Sequence, residues 1–130
     1  MTFDPIGTVQ VAALGALRAG MLAEHGLVTQ HVKQGTLPPF TLVGDVDFER
    51  ERDDLFLVTF EVISVYRGPG RAPLLSIMNA ARTAVLEQPF TAAGATFGRL
   101  QCVAGSASQA GPDGVTYAGL LKFEVYAEPA

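Results

Sequence analysis

The stretch FTLVGDVDFERERDDLFLVTFEVISVY, residues 40–66, decides the fold. In its first part Phe40, Leu42, Gly44, Val46 and Phe48 interleave with Thr41, Val43, Asp45 and Asp47. A period of two places successive side chains on opposite faces of a strand, so one buried face is expected here. The second part, residues 55–66, repeats the pattern more strongly: Phe56, Val58, Phe60 and Val62 share one face, and Leu57, Thr59 and Glu61 share another that should be partly wet. Between them ERERDD, residues 49–54, has nothing apolar to bury. Two long strands joined across a charged tip predict an antiparallel hairpin.

Upstream lies HVKQGTLPPFTLVG, residues 31–44. Pro38 and Pro39 each lack an N–H and fix φ, so the pair fits neither a helix nor a central strand. An extended segment should therefore end at Lys33 or Gln34, and the long strand should start at Phe40. LVTQHVK, residues 27–33, is the short strand expected before the joint.

Two helices flank this region. Over residues 8–24, Val11, Leu14, Leu17 and Met21 recur at helical spacing with Arg18 off that face. Thr8 is expected to cap the start and Gly26 the end. Gly15 and Gly20 weaken such a helix by about 1 kcal/mol each relative to Ala, which predicts close packing at those positions. After RGPGRAP breaks the hairpin's second strand, Leu74, Met78, Ala81 and Val85 lie on one helical face with Ile77 beside it, and Pro89 stops the helix. GRLQCVA, residues 98–104, is a weaker strand, and GSASQAGPDG is turn chemistry. VTYAGLLKFEVYAE, residues 115–128, closes the chain with Tyr117, Leu121, Phe123 and Val125 on one face and Lys122, Glu124 and Tyr126 on the other.

The order α-β-β-β-α-β-β predicts an α+β fold: a mostly antiparallel sheet of four to five strands with two amphipathic helices packed on one face. The other face is left partly polar, and edge strands remain. At 130 residues, 48% of them hydrophobic, a single domain spanning residues 1–130 is expected.

Composition narrows the function classes. No run of about eighteen apolar residues predicts a membrane span, and the start MTFDPIGTVQ has no basic n-region, so no signal peptide is expected. Cys102 is the only cysteine, which rules out an intramolecular disulfide and a cysteine-built metal site. A net charge of −4 and a pI near 5.0 leave no basic nucleic-acid footprint. These features together predict a soluble cytoplasmic protein.

Motifs for chemistry are absent. YRGPGRAP lacks the Gly-Lys-Ser/Thr ending of a phosphate loop and reads as a strand-to-helix turn. Asp45, Asp47, Glu49, Glu51 and Asp53 fall at every second position and would point to one side of a regular strand. Arg50 and Arg52 are interleaved, and no glycine makes the turn of a calcium loop, so a solvated face is preferred to a metal site. A third reading makes the tip a docking surface. His25 and His31 are the only histidines; His25 sits at a helix end, where a cation is mildly favoured. Cys102 alternates with Leu100 as a small core residue would. No catalytic, cofactor-binding or metal-ligating residues are assigned, and no enzyme is expected.

The same segments, in the same order, resemble the tail-terminator or tail-completion proteins of long-tailed phages and gene transfer agents. The matching parts are the N-terminal helix with HVKQGTLPPFTLVG, then FEVISVYRGPGRAPLLSIMNAARTAVL, then AGLLKFEVYAE, together covering residues 8–128. The resemblance implies a structural virion subunit that assembles as a hexameric ring, caps the tail tube and joins it to the head-side connector or stopper. It implies a place at the head–tail junction after assembly in the bacterial host cytoplasm, with DNA passing through the ring without specific binding. Partners would be further copies of the chain, the tube protein and the connector, with no membrane and no cofactor. On this reading Asp45, Asp47, Glu49, Arg50, Glu51, Arg52, Asp53 and Asp54 are candidates for the subunit interface, the tube interface or the lumen. The rivals are a neck or head-completion protein of the same particle, and a small cytoplasmic ligand-binding or enzymatic α+β domain.

Overall fold

The computed structural model describes residues 2–130. The chain runs α1 (Pro5–Gly20), a 3-10 turn (Ala23–His25), β1 (Leu27–Thr29), β2 (Phe40–Arg52), β3 (Leu55–Arg67), α2 (Ala72–Glu87), β4 (Ala95–Ala107) and β5 (Thr116–Pro129). The strands form one five-stranded sheet in the order β1-β2-β3-β5-β4. All neighbours are antiparallel except β1 and β2, which run parallel. Both helices lie on the same face, as the order of elements predicts.

The first helix starts earlier than its apolar spacing suggests. Asp4 is the cap, its Oδ1 accepting from the Gly7 N–H at 2.9 Å, and Pro5 opens the first turn, where its missing N–H costs nothing. Thr8 lies inside the helix and returns its hydroxyl to the Asp4 carbonyl oxygen at 2.8 Å. The helix ends at Gly20, because residues 21–22 turn extended; Gly26, at φ 94°, closes the separate 3-10 turn. The buried stripe is Val9, Ala13, Leu14 and Leu17 with Ala12 and Ala16. Val11 is 60% exposed, so the expected stripe was rotated: small alanines, invisible to a count of large residues, mark the true face. A Cβ on Gly15 would meet nothing within 4 Å, whereas one on Gly20 would sit 2.5 Å from the Ala84 Cβ, so of the two only Gly20 serves close helix packing.

The second helix follows its pattern. Leu74, Ile77, Met78, Ala81, Ala84 and Val85 are buried, and the helix gives way to extended backbone at Gln88, before Pro89.

The Pro-Pro joint opens the long strand at Phe40, with a cis peptide between Pro38 and Pro39. The strand before it is only Leu27–Thr29, not residues 27–33. It enters parallel to β2, pairing Leu27 with Phe40 and Thr29 with Leu42, so residues 30–39 return the chain to the same end of the sheet.

The hairpin forms as expected, with Val62 opposite Val43 and Phe60 opposite Val46. The single buried face expected on β2 does not hold. A bulge at Gly44 and Asp45 puts two residues opposite Glu61 and reverses the phase, as an extra residue must in a period of two. Thr41 and Val43 face the helices before it; Val46 and Phe48, on the other half of the alternation, do so after it.

The core follows the helix-covered face: Val58, Phe60 and Val62 of β3 and Leu121, Phe123, Val125 and Ala127 of β5, against Val9, Leu17, Leu74 and Val85. Phe60 stacks on Phe123 at 5.1 Å and on Phe90 at 5.8 Å. Thr41 and Ser64, also on this face, are buried opposite each other and join their hydroxyls at 2.9 Å. β4 is longer than residues 98–104, because register shifts after Phe97 and Cys102 let it follow β5 despite its irregular pattern. Leu100 and Cys102 pack toward the core, as their alternation predicts.

Candidate functional site

The sheet face away from the helices has no layer over it. Phe40, Leu42, Ile63, Val65 and Leu120 alternate with the buried residues of their strands, are half-buried by their neighbours, and take no part in the core cluster. Gly44 belongs to this face, because a Cβ there would meet the Ile63 side chain at 2.8 Å. Beside it is an apolar hollow of about 350 Å³ lined by Ile63, Ala118, Leu120 and Ser106.

Toward the hairpin tip the same face turns polar. Asp47 pairs across to Thr59, which pairs to Glu124, and Glu49 pairs across to Leu57. These residues and Lys122 line a second hollow of about 300 Å³. Lys122 stands directly opposite Glu61, an opposite-charge cross-strand pair, and Gln101 of β4 donates to Glu124 Oε1 at 3.5 Å.

The structure divides the eight hairpin residues. Asp47 and Glu49 lie on the open face. Asp45 is exposed in the bulge. Arg50 sits opposite Phe56, on the helix side, and its Nε donates to the Asp53 carbonyl oxygen at 2.7 Å. Glu51 is the extra residue of a second register shift, between Arg50 and Arg52. Arg52, Asp53 and Asp54 border a third hollow with Glu128. Asp53 turns the chain at φ 41°, a left-handed conformation that Asp tolerates better than most residues. The acids therefore do not point to one side, since two bulges break the alternation on which that expectation rests. Among the described residues no three His, Cys, Asp or Glu side chains converge as a metal would require.

Lys122, Glu124 and Gln101 were not assigned to this site from the sequence. The alternation of β5 gives the shared face of Lys122 and Glu124, but only the β3–β5 register puts them beside Asp47 and Glu49.

The remaining polar features are structural. The Leu22 N–H donates to His25 Nδ1 at 3.0 Å, closing the 3-10 turn. Cys102 donates weakly to the Ala104 carbonyl oxygen at 3.7 Å. In the β4–β5 loop the exposed Asp113 accepts from the Thr116 hydroxyl and from the Val115 and Thr116 N–H groups at 3.0 and 2.9 Å. The Thr116 hydroxyl and these amides hold its pKa at about 2, since each bond favours the carboxylate. No helix among the described residues is long and apolar enough to cross a membrane.

A one-sided α+β sheet whose longest hairpin ends in a charged tip at the sheet's margin is thus the class of fold. A solved chain in the virion of a native gene transfer agent particle has the same fold, at a TM-score of 0.74 and 19% identity, covering 98% of this chain and 99% of that one. No family model matches the chain, and no curated protein does.

Proposed function

We propose that this chain is a non-enzymatic structural subunit of a phage-type or gene transfer agent virion, a single tail-terminator-like domain that assembles as a ring, hexameric by resemblance. The ring caps the tail tube and meets the head-side connector, and the completed subunit resides at the head–tail junction. The observation that supports this most is the fold likeness to a gene transfer agent virion chain over 98% of this chain and 99% of that one. The resemblance of pattern over residues 8–128 supports the terminator role within that particle. An uncovered sheet face and a charged hairpin tip at the sheet's margin are surfaces available for such contacts. The acidic residues of the hairpin and open face, wherever they border the channel, repel the DNA backbone, and a Lys- or Arg-rich lumen would instead release counterions and grip the duplex.

Native mass spectrometry with and without the tube protein tests the reading. A closed oligomer that caps tube ends and limits tube length is the expected result. A subunit that stays monomeric with the tube, or that binds the head-side connector and ignores the tube, overturns the terminator role; the second outcome marks a neck or head-completion protein. Tight, steeply salt-dependent duplex binding by the assembled ring would overturn the non-adhesive channel.

A further inference from the structure

The uncovered sheet face has two halves. One is apolar, with Leu42, Ile63, Val65 and Leu120; the other is acidic, with Asp47, Glu49 and Glu124 around the single Lys122. Its complement must be apolar and cationic. The outer surface of the helix layer has that chemistry. α1 contains one charged residue, Arg18, and no acid, and α2 contains Arg82 and Glu87. Both arginines are exposed, as are Val11 at 60%, Leu75 at 49% and, just past α1, Leu22 at 59%.

We infer that the open sheet face seats the helix layer of a second copy of this chain, front to back, with the apolar half against the exposed aliphatics and the Asp47–Glu49–Glu124 half toward Arg18 and Arg82. Two open faces do not meet each other, because that would set Asp47, Glu49 and Glu124 against their own copies, and juxtaposed like charges cost several kcal/mol. A front-to-back contact joins two different patches, so it is heterologous and repeats from copy to copy, making a ring where the rotation between copies closes and an open filament where it does not. This contact rests on the ring reading above and specifies which surfaces build the ring.

The test is a charge swap. Glu49→Arg with Glu124→Arg reverses the open face; Arg18→Glu with Arg82→Glu reverses the helix layer. Each double variant alone is expected to raise the concentration for half-assembly about tenfold or more, with an unchanged thermal midpoint. A one-to-one mixture restores attraction at every contact, so native mass spectrometry should recover an oligomer of strictly alternating composition. If either double variant assembles like the parent, or if folded variants fail to recover on mixing, the surface assignment is overturned while the ring stands. A parent that never oligomerises, alone or with the tube, overturns the ring and this contact together. Should a double variant fold poorly, a Cys102→Ser protein carrying Val11→Cys mixed with one carrying Leu120→Cys supplies the geometric readout. A short bis-maleimide is expected to join the two within the assembled ring, and the absence of that product overturns the contact.

Discussion

Phe60 and Ile63 lie three residues apart on β3 and meet opposite fates. Phe60 is sealed between Phe123 and Phe90 beneath the helices, whereas Ile63 borders an open hollow on the other side. Both are large and apolar, so hydrophobicity does not distinguish them; the pleat does, by sending odd and even positions to different faces. The comparison teaches that the helix-covered face holds the chain's fold together, and that the open face is left uncovered and available for contacts.

The largest test of this contrast is Phe60→Ala. It leaves a cavity between two stacked rings and is expected to cost about 3–5 kcal/mol in chemical denaturation; a parent-like midpoint would remove Phe60 from the core. Gly20→Ala comes next. The new Cβ would sit 2.5 Å from the Ala84 Cβ and 2.8 Å from its Cα, so the two helices must separate, at an expected cost of about 1–3 kcal/mol in the same assay. Thr41→Val keeps the shape but leaves the buried Ser64 hydroxyl without its partner, for an expected loss of about 1–2 kcal/mol; the double variant with Ser64→Ala should recover part of it. Ile63→Ser on the open face should cost the isolated chain about 0.5–1 kcal/mol while weakening the self-association proposed for that face. A large loss of subunit stability there would erase the distinction between the two faces.

The smallest effect belongs to the β4–β5 loop. The folded pKa of Asp113, about 2, lies below its usual value of 3.8, so its bonds contribute fully above about pH 4 and are lost as pH falls toward 2. NMR titration should show the Val115 and Thr116 amides shifting with a midpoint near 2. A midpoint near the usual carboxylate value would mean that the Asp113 bonds do not hold in solution.

Much of the architecture was legible in residues 40–66 and 72–88. The alternation of Phe56, Val58, Phe60 and Val62 and the stripe of Leu74, Ile77, Met78, Ala81 and Val85 fix a buried strand face and a buried helix face, because each period has a single geometric solution. α1 was harder, since its buried face is built from alanines that carry little hydrophobic signal, and its cap, Asp4, precedes the periodic residues. The candidate site was the least legible part. Asp45 to Asp54 are plainly charged in the sequence, but where each one points depends on two bulges.

The sequence by itself determined the element types, their order and the hairpin, because local periodicity and turn chemistry act over a few residues, and the order of those elements in turn suggested both helices on one face. Only the tertiary structure decided the phase reversal at Gly44–Asp45, the parallel entry of β1, and the meeting of Asp47 and Glu49 with Lys122 and Glu124. These depend on inter-strand register, which brings residues more than seventy positions apart into one hollow and is set by pairing across the whole sheet.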